Sequence, residues 1–128
     1  MTERLVALKN FVRGEADPRN FPHEQHIYMA FELLRRHDFS EAAHVYCRAI
    51  RKMTLRAGKP QAFHQTITIA FLSLIAERMH AGRPADFQDF TVQNPDLLDK
   101  SVLLRWYRPE RLATDLARLT FVLPDPRS

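Results

Sequence analysis

The chain has 128 residues, 45% of them hydrophobic and 27% charged, with three glycines and one cysteine. That length can bury about two thirds of the surface exposed by the unfolded chain, and this balance of apolar and charged residues excludes an intrinsically disordered polymer. The formal net charge is +4, with acidic residues interleaved through most of the chain, so the field is too mild for a dedicated nucleic-acid binder, and a nucleic-acid partner is not expected.

The elements follow in chain order. Leu5, Leu8, Phe11 and Val12 recur at helical spacing over residues 3–13, and the stretch from Gly14 to Phe21, with Asp17-Pro18 and Asn20, reads as a loop. Pro22 suits the first position of a second helix, whose inner face holds Ile27, Ala30, Leu33 and Leu34 and which runs to about His37. Ser40 is the expected N-cap of a third helix, with Ala42, Ala43, Tyr46, Cys47, Ile50 and Met53 following it to a stop at Gly58. Pro60 is expected to open a fourth helix in which Phe63, Ile67, Ala70, Phe71, Leu74 and Ile75 cover a broad face, until Gly82 and Pro84 stop it. Such a face predicts the most buried helix of the molecule.

Beyond residue 84 the periods shorten. Phe87, Phe90 and Val92 suggest one brief helix, residues 95–99 a turn of another, residues 102–107 a third apolar piece, and residues 109–119 a last amphipathic helix. Phe121-Val122-Leu123-Pro124-Asp125-Pro126 reads as an extended tail packed across the helices. The fold class expected is all-α: an up-down bundle of three main helices plus a short N-terminal helix, short C-terminal helices and the tail, in a single domain over 1–128. The longest nearly apolar run, residues 67–76, is far below the roughly 18 residues needed to span a membrane. Cys47 has no partner for an internal disulfide, and Met1-Thr2-Glu3-Arg4 is charged where a secretory signal needs apolar residues, so a reducing cytoplasm is the expected compartment.

Phe21, His23 and His26 form Phe-x-His-x-x-His. Phe63, His64, Thr66, Ile67 and Thr68 form Phe-His-x-Thr-Ile-Thr. Tyr107, Pro109, Glu110 and Leu112 form Tyr-x-Pro-Glu-x-Leu, and Phe121 with Pro124 closes the chain. In these motifs the chain resembles a family of small uncharacterised all-α proteins, across most of its length. The resemblance carries no activity; it implies helix boundaries and draws attention to the histidines. Phe39, Ala42, Tyr46 and Ala49 also follow the spacing of a tetratricopeptide helix, but 34 residues on stand Ser73, Ala76, His80 and Arg83, which do not repeat it. Small residues at a helical crossing account for that pattern.

His23 and His26, three residues apart, share a helix face, and His64 stands near the start of the fourth helix. If the second, third and fourth helices run up, down and up, the starts of the second and fourth lie side by side and three imidazoles can converge. Imidazole suits a divalent metal such as zinc or iron, and three protein ligands with one open position is the layout of catalytic zinc. Glu24, between the first two histidines, would act as base toward a metal-bound water. The three-residue gap argues against the protease motif, which sets its histidines four apart. Arg105 could hold a carboxylate or phosphate, and Tyr107 could pass a proton. Together these give one expectation: a metal-binding protein or metalloenzyme with ligands His23, His26 and His64, acting on a small acidic molecule. A second is a non-catalytic interaction module, a homo-oligomer included, in which the histidines are structural and residues 105–108 meet a partner, and a third is a metal-free ligand-binding bundle.

The remaining candidates have plain structural roles. Arg48, Lys52 and Arg56 line one stripe of the third helix as its wet face, and Asp96 and Asp99 suit capping. Thr66 and Thr68 are expected to bond back to helix carbonyls. Cys47 fits as a small hydrophobe, while His37, His44 and His80 are solvated.

Overall fold

The computed structural model describes residues 2–126. Among them are seven α-helices and four short 3-10 turns, with no strand, so the all-α class is what the chain adopts. No helix is long and apolar enough to cross a membrane. The chain divides into two compact units, Met1–Phe63 and His64–Ser128.

In the first unit, α1 (Glu3–Arg13) opens at Thr2, whose hydroxyl accepts from the Leu5 N–H, and closes at Gly14 with φ 79°. There the Glu15 N–H donates to the Asn10 carbonyl at 2.8 Å, the six-to-one bond of a glycine-closed helix. A side chain at Gly14 would be strained by that φ and would also meet the stem of Lys52. After a 3-10 turn at Pro18–Asn20, α2 covers His23–Arg36. Pro22 stands just before it with extended backbone, so His23 rather than the proline is the first helical residue. α3 (Phe39–Arg56) is capped by Asp38, which accepts from the Glu41 N–H at 2.9 Å. Ser40 lies inside the helix, because a charged oxygen two residues earlier is the stronger acceptor at the positive helix end. A further 3-10 turn, Pro60–Ala62, follows α3.

Arg4 lies over the Tyr28 ring and pairs with Glu24, while Phe11 stacks on Phe21, so α1 runs antiparallel to α2. The two-residue link between α2 and α3 turns the chain back again. Every residue from Ile27 to Leu33 is buried. Phe11, Met29, Phe31 and Ala42 are wholly inaccessible and fill the centre of this unit. Glu32, buried among them, keeps its carboxylate on Arg35 at 2.7 Å.

In the second unit, α4 (Gln65–Gly82) begins at His64. Pro60 therefore does not open this helix; it opens the separate 3-10 turn. Nor is α4 the most buried helix. Only Thr66, Leu72 and Ile75 are deep in it, because its apolar residues are spread around the axis instead of forming one stripe. The helix ends at Arg83, in left-handed geometry with φ 45°.

α5 (Phe87–Gln93) is capped by Asp86, and 3-10 turns at Pro95–Leu98 and Lys100–Arg105 follow. The single helix expected over residues 109–119 is two, α6 (Pro109–Leu112) and α7 (Asp115–Leu119). Thr114 separates them: its hydroxyl accepts from the Ala117 N–H at 3.0 Å and so starts a new helix where the periodicity seemed continuous. Phe90 and Leu97 are deep, and Tyr107, Ala117 and Val122 form a cluster with Ala70 and Leu112 packed against it.

Candidate functional site

His23 and His26 occupy the first and fourth positions of α2, in the first unit. His26 sits in an aromatic nest: the Phe21 ring meets it edge to face with centroids 4.7 Å apart, Phe11 stacks on Phe21, and Phe11 packs 5.5 Å from Tyr46. The Tyr46 hydroxyl donates to the His26 carbonyl at 3.4 Å and stands 3.5 Å from Nδ1. Burial pushes the Tyr46 phenol well above its ordinary pKa, so it stays protonated. Glu24 faces Arg4 in a half-exposed ion pair at 3.3 Å. A pair that exposed contributes little to stability, yet it gives the expected base a cation as its nearest neighbour. Cys47 is half-buried, and burial raises its thiol pKa, so it carries no reactive thiolate. Of the basic stripe on α3, Arg56 donates to the Gly14 carbonyl at 3.3 Å and the Lys52 stem lies against Gly14, which ties the stripe to the end of α1.

His64 belongs to the second unit, where both ring nitrogens have partners. Nδ1 accepts from the Ile67 N–H at 3.1 Å, and Nε2 stands 2.7 Å from the Leu112 carbonyl. A carbonyl only accepts, so Nε2 carries the hydrogen and the ring is the neutral Nε2–H tautomer. The side chain caps α4 and fastens α6 to it. Among the described residues, no group of three or more His, Cys, Asp or Glu side chains is arranged to hold a metal ion.

Thr68 donates to the His64 carbonyl at 2.7 Å, as helical threonines do. Thr66 departs from that pattern. Its hydroxyl donates to the Thr120 carbonyl at 2.8 Å and accepts from the Val122 N–H at 3.0 Å, which pins the tail to the start of α4. The Tyr107 hydroxyl completes the clamp by donating to the Val122 carbonyl at 2.8 Å; the ring is buried, and that burial raises the phenol pKa. Arg108 N–H donates to Asp125 at 2.6 Å, which, with the Arg108 guanidinium beside it, holds the Asp125 carboxyl below its usual range.

Arg105 donates to Asp96 at 3.0 Å. Arg78 grips the same carboxylate with two bonds, at 2.9 and 3.0 Å, and also reaches Asn94 at 2.9 Å. The Arg78 fork, with Arg105 beside it, holds the Asp96 carboxyl down at about 2. Asp99 caps the last 3-10 turn as expected, accepting from the Ser101 N–H. Asp96 forms an ion-pair hub instead.

Sequence reasoning missed a cleft of about 340 Å³ in the second unit. One wall is a single face of α4, with Ala70, Ser73, Leu74 and Glu77 at i, i+3, i+4 and i+7. The other is Leu103, Trp106 and Tyr107, and the tail closes it with Phe121 and Pro124. The i, i+3, i+4, i+7 spacing was present in the sequence, but nothing there places the tail beside α4. The volume lies in the lower range of small-ligand sites. Compared with protein-family models, with curated proteins and with solved structures, the chain matches none.

Proposed function

We propose that the protein is a non-catalytic helical binding module, working in a reducing cytoplasm, with the aromatic cleft of its second unit as the binding surface. The observation that carries this reading is the cleft itself: a concave, mainly apolar site in which Trp106 and Phe121 remain 38% and 42% exposed. It gains support from the commitments of the side chains that the sequence marks for chemistry. Tyr107 holds the tail, Arg105 holds Asp96, Glu24 faces Arg4 and His64 caps α4. An acidic ligand at Arg105 would have to compete with Asp96 for the guanidinium.

Trp106 is the chain's one tryptophan, so its fluorescence reports on the cleft directly. Titration with small apolar probes of neutral charge is expected to change that signal saturably, and Ser73→Phe, which fills the cleft from α4, is expected to abolish the change. A linear response, identical in the variant, removes the binding reading. A response that varies with protein concentration identifies a second copy as the occupant. The three-histidine metal reading is tested separately, on protein without a histidine tag, by incubation with zinc or iron. Stoichiometric metal lost in both His23→Ala and His64→Ala would replace this proposal.

A further inference from the structure

The cleft of the second unit has a charge as well as a shape. Its lining contains one acidic or basic side chain, Glu77. Glu77 is exposed, and among the described residues it forms no ion pair. The arginines of this unit make their ion pairs with other carboxylates. Arg78, next to it on α4, feels the Glu77 charge but places its fork on Asp96, and Arg105 shares that carboxylate. Arg108 and Arg111 face Asp125 at 3.3 and 4.0 Å. Glu77, without an ion pair among the described residues, therefore lines the same cleft as Trp106, Tyr107 and Phe121, while Ala70, Leu74 and Leu103 supply aliphatic wall.

Resting on the binding reading above, the geometry points to a cleft for a small organic ammonium ion with a short alkyl body. The physical reason is differential. A neutral apolar molecule gains only the removal of its surface from water. An anion of the same shape is repelled by Glu77 and by any aromatic face that it meets. An ammonium ion gains from both, since aromatic faces attract cations and a carboxylate attracts them more strongly at the mouth of an apolar cleft than in open water. The volume of about 340 Å³ suits a small molecule rather than a folded partner.

The test uses the full chain and three probes of one length, n-hexylammonium, n-hexanol and hexanoate, followed by Trp106 fluorescence and by calorimetry. Hexylammonium is expected to bind about tenfold more tightly than hexanol, with hexanoate weakest. Glu77→Gln is expected to bring hexylammonium down to the level of hexanol. Glu77 is exposed, so the variant keeps the fold, and circular dichroism checks this. If hexanol binds as well as hexylammonium, or if the Gln variant retains the preference, the ammonium assignment is overturned while the cleft remains a binding site. If none of the three saturates, the binding reading itself fails. A lysine-containing peptide that binds more tightly than hexylammonium overturns the assignment to a small molecule.

Discussion

His64 shows how much a single imidazole can settle. A ring that accepts from the Ile67 N–H and donates to the Leu112 carbonyl has no lone pair left for an ion without losing one of those bonds. Removing it strips the first turn of α4 of its cap and leaves a carbonyl without its donor. His64→Ala is therefore expected to lower the unfolding free energy by about 1–2 kcal/mol. His64→Asn, which can keep the cap but not the reach to Leu112, is expected to lose about half as much. Urea unfolding of the three proteins checks the order. An alanine variant as stable as the parent would leave this histidine without a structural task.

At the scale of elements, the helix ends decide where the working surfaces fall. α1 closes on Gly14 at φ 79°, where glycine costs nothing, but α4 closes on Arg83 at φ 45°, where an L side chain is strained. The glycine beside it, Gly82, is the last helical residue, one position too early to take the left-handed turn. Arg83→Gly is expected to stabilise the protein by about 1 kcal/mol, since it relieves that strain. Gly14→Ala is expected to cost at least as much, because it adds strain and presses on Lys52. Thermal unfolding should move the two midpoints in opposite directions. Equal midpoints for Arg83→Gly and the parent would show that the left-handed residue stores no strain.

For the molecule as a whole, the telling quantity is the response to acid. Asp17, Asp96 and Asp125 all have carboxyls held below their ordinary values, by Arg19, by Arg78 with Arg105, and by Arg108 respectively. A depressed carboxyl binds fewer protons in the folded state than in the unfolded one. Its stabilisation is present above the unfolded value and disappears as the pH falls through the folded one. Asp17 is half-exposed and adds only a shallow slope, while Asp125 adds to the same trend from a less exposed position. Asp96 dominates: its contribution is expected to be complete above pH 3.8 and to fade toward about 2. Asp96→Asn should cost about 1–2 kcal/mol at neutral pH after screening of the half-exposed Arg105, and the difference from the parent should vanish in strong acid. Urea midpoints measured across that range check it; a gap independent of pH would mean that the two arginines do not act through this carboxylate.

The amino-acid sequence by itself determined the class and the order of the helices, because hydrophobic period, glycine closures and prolines are local signals. It placed α1, α2 and α3 within a residue or two of their ends, and it marked Asp99 as a cap and the tail as non-helical. It did not reach the competition between neighbouring caps: Asp38 outbids Ser40, His64 takes the place expected of Pro60, and Thr114 splits the last helix. Each of those choices depends on which side chain reaches an N–H in three dimensions. Only tertiary structure decided the roles of the polar residues, since Thr66 and Tyr107 both bond the remote Val122 backbone, and Asp125 bonds the remote Arg108, because the tail folds back. The cleft exists for the same reason, as a space bounded by helix, turn and tail that no local stretch encodes.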